Sequence, residues 1–422
     1  MKLSSALLGR FAIPRLAAEA RRRRAASVPR RVRLLSWFVT RWSREGRTLL
    51  VTALAATLFA VDVGRTESHA LVLATLALLV ASLVFTRLYR LTDVRFSARA
   101  PRRVSVGDAL TVTLSLDNVG QRAHRAVRLE PPSLPSDGTW VDALARITDL
   151  APGAPTVNML RARFSKRGVH TLGSFRAAML VPLGLSQGAP IRTEALRFVV
   201  VPKPARVVSL VLPKGPREQS GGTAYTSRTG DATALLGVRP YRPGDPVRDL
   251  HARSWARHGA PIVREYQQET FTRVGLLLDT EAAPGSAHLE AALSLAAGVL
   301  AWLSKSDELI DVLAIGEHVE RLASAHGQAA LEHGLDLLAA VQPTSAFNPE
   351  RILVSIGPHL SRLSSLVFVA LAWDERRASV ASALRARGLG CHVVVVADES
   401  ARLPDVQRVA RDAILKGEAL SL

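Results

Sequence analysis

Residues 239–269, RPYRPGDPVRDLHARSWARHGAPIVREYQQE, hold a dense set of side chains able to do chemistry. Arg239, Arg242, Arg248, Arg253, Arg257 and Arg264 are interleaved with Asp245, Asp249, Glu265 and Glu269. A planar guanidinium meets a carboxylate in a two-point fork, so this pattern suits a fixed polar scaffold or a partner-binding surface. It is a poor reactive centre. Asp249, His251 and Ser254 stand close together, yet a Ser-His-Asp unit is defined by geometry, and an arginine-rich helix disfavours an activated hydroxyl. The chain contains no His-Glu-x-x-His, Gly-x-Ser-x-Gly or Cys-x-x-Cys, and no Gly-Lys-Ser/Thr follows Gly221-Gly222 to make a phosphate loop. The residues therefore predict a protein that is not an enzyme.

Pro243-Gly244-Asp245-Pro246 predicts a turn, because Pro presets φ, Gly accepts positive φ and Asp bonds its own backbone. Leu250 to Arg257 then reads as a short helix with His251 and Trp255 on one face. These residues resemble the signature of the domain-of-unknown-function 58 family, Tyr-x-Pro-Gly-Asp-x-x-Arg followed by Trp-x-x-x-Ala-Arg and Arg-Glu. Tyr241, Pro243, Gly244, Asp245, Arg248, Ala256, Arg257, Arg264 and Glu265 fill the matching positions, while Ala252 stands at the family's tryptophan and Trp255 lies three places later. With Arg239, Asp249, Arg253 and Trp255, they form the expected partner-binding or signature set.

The elements that must position this segment begin with a basic arm. Of the net charge of +19, residues 1–47 supply +11, from thirteen Lys or Arg against Glu19 and Glu45. Thr48 to Val61 and Ala70 to Thr86 follow, uncharged and apolar, separated by Asp62 to His69. This predicts a transmembrane helical hairpin over 48–90, in which Trp42 and Tyr89 sit in the interface. Arg41, Arg44 and Arg47 before it and Arg87, Arg90, Arg95 and Arg99 after it place both ends in the cytoplasm. The arm, including Arg21 to Arg24, is expected to lie on anionic lipid. Nucleic-acid binding by the arm is the alternative, disfavoured because no aromatic residues are interleaved for base stacking.

Residues 91–205 alternate apolar and polar residues in DALTVTLSLDN and neighbouring runs, predicting a β-sandwich of immunoglobulin-like type. His124 and His170 stand there without metal-ligand spacing. A linker and the Arg/Asp segment occupy 206–272. From 273 to 422 apolar strands alternate with amphipathic helices, predicting a parallel sheet covered on both faces. Cys391, alone of its kind, reads as a small buried hydrophobe.

The family resemblance implies a von Willebrand factor A-like fold for 273–422. In that fold an Asp-x-Ser-x-Ser loop, a Thr and a second Asp hold magnesium through hard oxygen ligands. Here Asp279 ends the first strand, but Glu281 and Ala283 take the two serine positions, leaving Asp279, Thr344 and Asp374 as candidates. No metal or other cofactor is expected. The resemblance further implies a MoxR-type AAA+ ATPase and other membrane proteins as partners. The resulting expectation is a non-catalytic adaptor or assembly factor, anchored by two spans in a bacterial inner membrane with its folded regions in the cytoplasm. The alternative is a metal-dependent hydrolase working at Asp279 and Asp374.

Overall fold

Hydrophobic alternation along the chain resolves into several small sheets and one large one. The computed structural model describes residues 41–59, 66–143, 147–153, 155–213, 234–267, 273–306, 309–322, 327–399, 401–402 and 406–422. Most of the basic arm, residues 1–40, and the linker containing Gly221-Gly222 lie outside the described residues. The chain divides into two units, one drawn from residues up to Pro101, Ala109–Arg163 and Thr171–Arg197, the other from Arg102–Asp108, Phe164–His170 and Phe198–Leu422.

In the first unit α1 (Arg44–Phe59) packs on α2 (Thr66–Phe85). Ser43 Oγ donates to the Leu185 carbonyl at 3.1 Å and Ser186 Oγ to the Ser82 carbonyl at 2.8 Å, so buried polar groups tie the pair to residues 185–186. Gly46 permits the approach, since a Cβ there would stand 1.9 Å from the Leu185 oxygen. Trp42, Ala53 and Leu79 are buried, whereas Val51, Leu54, Leu71, Leu73, Val80 and Val84 are exposed. The expected membrane hairpin is overturned here. Among the described residues no helix is long and apolar enough to cross a membrane. The 16 residues of α1 span about 24 Å at 1.5 Å per residue, short of a hydrocarbon core of about 30 Å. The 20 residues of α2 begin with Thr-Glu-Ser-His, so its apolar run starts only at Ala70. The two-span inner-membrane placement falls with the hairpin.

Most of the β region belongs to the same unit. One four-stranded sheet has the order β1 (Val94–Arg99), β3 (Ala109–Asn118), β7 (Pro155–Phe164), β5 (Gly138–Trp140). A second has the order β10 (Ile191–Arg192), β9 (Arg176–Met179), β4 (His124–Glu130), β6 (Ile147–Leu150). Alternation in β3 buries Leu110, Val112, Leu114 and Leu116 completely. Three short strands, β2 (Arg103–Ser105), β11 (Leu196–Val201) and β8 (Gly168–Leu172), make a further small sheet, and β12 (Val207–Ser209) pairs with β22 (Leu420–Ser421).

The second unit carries an antiparallel hairpin of β13 (Ala234–Pro240) and β14 (Ile262–Gln267), enclosing α3 (Ala252–His258). It also carries a seven-stranded sheet in the order β17 (His318–Arg321), β16 (Leu309–Ile315), β15 (Arg273–Leu278), β18 (Ser365–Ala370), β19 (Gly390–Ala397), β21 (Gln407–Ala410), β20 (Ala401–Arg402). The strands from β16 to β21 are parallel, and β17 and β20 close the edges antiparallel. Alternate side chains feed two cores. Val274, Leu276, Leu278, Val367 and Val369 join one with α4 (Ala287–Leu303) and α5 (Gln328–Ala340). Leu277, Leu366, Phe368 and Ala370 join the other with α6 (Pro349–Ile356) and α7 (Glu375–Ala386). Helix α4 is almost wholly buried, and Gly298 lets the 205–209 segment lie on it, since a Cβ there would meet the Ala205 oxygen at 2.5 Å. Cys391 is buried, and burial pushes its thiol up to about 11.

The architecture is thus mixed α/β with several small sheets, which corrects the expected assembly of membrane hairpin, immunoglobulin-like β-sandwich and von Willebrand factor A-like domain. The β region is divided among separate sheets of three or four strands, with Gly and Pro in its turns. The seven-stranded sheet is not confirmed as a von Willebrand factor A fold, and Glu281 and Ala283 stand at the two serine positions of that fold's metal loop.

Candidate functional site

The seven-stranded sheet reverses its strand order between β15 and β18, and open α/β sheets bind their ligands in the crevice at the carboxyl ends of such a pair. Asp279 leaves β15 at this point with no exposed surface. Its Oδ1 accepts the Glu281 N–H at 2.9 Å and its Oδ2 the Leu371 N–H at 3.1 Å, stitching the two strand ends together. Thr344 is brought alongside: its N–H donates to the Thr280 carbonyl at 2.7 Å, and the two threonine hydroxyl oxygens lie 3.0 Å apart. Asp374 caps α7 by accepting the Arg377 N–H at 3.0 Å.

The centre of this edge belongs to Arg377. Only 2% exposed, it donates from Nε to Asp279 Oδ2 at 2.7 Å, from Nη2 to Glu281 Oε2 at 2.7 Å and from Nη1 to Asp374 Oδ2 at 2.8 Å. Its Cζ lies 4.7 Å from the Phe347 ring centroid, a cation–π contact on the remaining side. Arg376 adds bonds of 3.1 Å to both Glu281 and Asp374. Burial raises the Glu281 carboxyl, but hydrogen bonding and charge from Arg377 and Arg376 outweigh it, and the group ends below the usual carboxylate range. Asp374 follows the same pattern, burial being overcome by the Arg377 N–H and the two guanidinium charges.

A divalent cation does not fit these residues. It would need oxygen ligands free to converge on an open point, and the carboxylates instead converge on a guanidinium whose planar fork they satisfy. Among the described residues no group of three or more His, Cys, Asp or Glu is placed to hold a metal. Of the sequence-derived candidates, Asp279, Thr344 and Asp374 do come together, but around Arg377, which sequence reasoning missed. Its signal was the run Asp374-Glu375-Arg376-Arg377, separated by three residues from a buried strand, an N-cap followed by a basic residue one turn on.

The Arg/Asp segment forms a separate structure on the hairpin. Arg239 grips Asp245 with Nη1 at 2.8 Å and Nη2 at 2.9 Å, and the Arg242 N–H donates to the same carboxylate at 2.8 Å. The Arg239 hydrogen bonds first, and then the Arg242 N–H, hold the Asp245 carboxyl below its ordinary range. Gly244 takes φ 104°, as the Pro-Gly-Asp turn requires. Glu265 lies 3.9 Å from Arg239, and Asp249 pairs with Arg248 at 3.9 Å. The Tyr241 N–H donates to the Pro261 carbonyl at 2.9 Å. His251 caps α3, its Nδ1 accepting the Ser254 N–H at 3.3 Å and lying 2.7 Å from Ser254 Oγ. With Asp249 turned to Arg248, the Ser–His contact is a helix cap rather than a catalytic dyad. Arg253, Trp255, Arg257 and Arg264 point outward.

No curated protein matches the chain. Among solved structures, a FixG-related protein from Vibrio parahaemolyticus aligns at 16% identity over 26% of this chain and 98% of its own, with a TM-score of 0.20. Native alpha-2-macroglobulin of E. coli, from domain MG7 to the C-terminus, aligns at 13% identity over 78% of this chain and 41% of its own, with a TM-score of 0.22. A second E. coli alpha-2-macroglobulin structure aligns at 20% identity over 29% of this chain and 8% of its own, with a TM-score of 0.21. The chain spans less than half of those macroglobulin chains, and at such scores none of these likenesses carries an argument about fold or activity. The family model described as "Protein of unknown function DUF58" matches residues 237–421, from the Arg/Asp hairpin through the seven-stranded sheet to the final strand. This region belongs to the DUF58 family.

Proposed function

We propose that the chain is a non-catalytic adaptor or assembly factor that works with a MoxR-type AAA+ ATPase through its DUF58 region. The observation that carries this reading is Arg377 at the strand-order reversal. An enzyme or metal-dependent binder built on such a sheet keeps that crevice open for its ligand. Here a side chain of the protein itself occupies it, with three carboxylates satisfied and an aromatic ring beneath. A metal-dependent hydrolase working at Asp279 and Asp374 would first have to expel that guanidinium, giving up its three carboxylate pairs and its ring contact. The choice of ATPase rests on the family resemblance of residues 239–265. Sedimentation of the full chain with a purified MoxR-type ATPase from the same genome tests it. A saturable complex is expected, and no complex at micromolar concentrations, with or without nucleotide, would sink the partner assignment.

A further inference from the structure

The hairpin holds six arginines against three carboxylates, and its displayed surface is more basic still. Its acids are turned inward: the side chains of Asp245, Asp249 and Glu265 are 13%, 23% and 32% exposed. Its bases are turned outward. The Arg248 side chain is 60% exposed, and Arg242, Arg253, Arg257 and Arg264 are all exposed. Because the carboxylates are spent on the pairs with Arg239 and Arg248, the outer face presents the guanidinium groups of Arg242, Arg253, Arg257 and Arg264 beyond those pairs.

A second observation concerns α3. It has seven residues and none of them is buried. Helices this short are marginal in water without tertiary packing, and this one displays Trp255 at 43% exposure, with Val247 at 71% and Val238 at 47% nearby in the segment. Trp and Arg are the residue types that dominate protein interfaces once desolvated. The segment is held in shape by its own Arg239–Asp245 fork, the His251 cap and the strand pairing, so its outer face is pre-organised before anything covers it.

Resting on the adaptor reading above, we infer that the outer face of the β13–α3–β14 hairpin docks an acidic segment of a partner protein, with Trp255 as the apolar centre and Arg253 and Arg257 beside it. Charge complementarity selects the partner's acidity. A protein segment fits better than a nucleic acid. Strand binding uses successive stacking rings, whereas Trp255 is the single aromatic residue of α3.

The test uses the full chain and a fluorescein-labelled, glutamate-rich peptide with spaced leucines, read by anisotropy. A lysine-rich counterpart and a labelled single-stranded oligonucleotide serve as competing probes. The glutamate-rich peptide should bind saturably and in preference to both. Arg253→Glu/Arg257→Glu and, separately, Trp255→Ala should weaken it at least about tenfold, while Lys416→Glu, on an exposed position of the last helix (Arg411–Lys416), should change it less than about twofold. Unchanged melting temperatures would show that the variants are folded. Preference for the oligonucleotide, equal weakening by Lys416→Glu, or no saturable binding of the acidic peptide would each overturn the inference. An ATPase complex that forms and survives Arg253→Glu/Arg257→Glu would also overturn it while leaving the adaptor reading intact. Absence of the ATPase complex alongside tight acidic-peptide binding would do the reverse.

Discussion

Replacing Arg377 by alanine removes the one cation that Asp279, Glu281 and Asp374 share. Asp279 has no exposed surface, so it is left with its two backbone N–H donors and no counter-charge. Breaking a buried pair from one side costs about 3–5 kcal/mol, because the stranded charge keeps its desolvation penalty. For a unit of this size that is a fall of roughly 10 °C in melting temperature. Arg377→Lys keeps the charge but loses the fork, and is expected to lie between the two. The pH dependence gives a second readout. Glu281 and Asp374 titrate below their ordinary range in the folded protein, so the unfolded chain binds more protons in acid. Their contribution is present above their unfolded values of about 4 and is lost as pH falls through the lower folded ones. In Arg377→Ala the Arg376 contacts and the residue-377 N–H remain, so the two carboxyls lose only the part of that depression due to the Arg377 guanidinium; the variant's stability should fall somewhat less steeply in acid and its gap to the parent should narrow. Equilibrium denaturation at neutral pH and at successively lower pH measures both effects. A loss under about 1 kcal/mol at neutral pH, or a gap that widens in acid, would refute the reasoning that the guanidinium is the buried counter-ion of this edge.

Three further outcomes follow from other contacts. Asp245→Ala should raise amide exchange across residues 234–267 while the seven-stranded sheet keeps its protection, because Asp245 holds only the local turn and Arg239. Gly298→Ala should destabilise by about 1–3 kcal/mol, since the added methyl meets backbone rather than a movable side chain, and a neutral result in denaturant titration would contradict the close approach to Ala205. Cys391, buried and with its thiol pushed up to about 11, should resist thiol reagents at neutral pH until the protein is unfolded, as mass spectrometry of labelled protein will record.

The alternation of strands and helices beyond residue 273 was legible because each apolar run there is short and bounded by a helix period. The pattern of β18, all buried, is what a two-sided parallel strand must show. The Pro243-Gly244-Asp245 turn was equally readable, since its chemistry is local. Residues 48–61 and 70–86 misled for a physical reason: an uncharged apolar run reads alike whether it crosses a bilayer or packs in a helix pair, and only the length and apolar content of the whole helices separated them. Arg377 was invisible for another. Its partners Asp279 and Glu281 lie almost a hundred residues earlier, and only the pairing of β15 with β18 brings the two strand ends together. No local pattern announces an ion pair made by sheet register.

At the carboxyl ends of β15 and β18 the acidic side chains Asp279, Glu281 and Asp374 are held by the protein's own guanidinium, and we propose that they bind no metal. Isothermal titration of the full chain with magnesium and with manganese tests it most directly. Heats of dilution alone and no shift in melting temperature are expected. A saturable, one-to-one heat at micromolar cation that disappears in Asp279→Ala would contradict it.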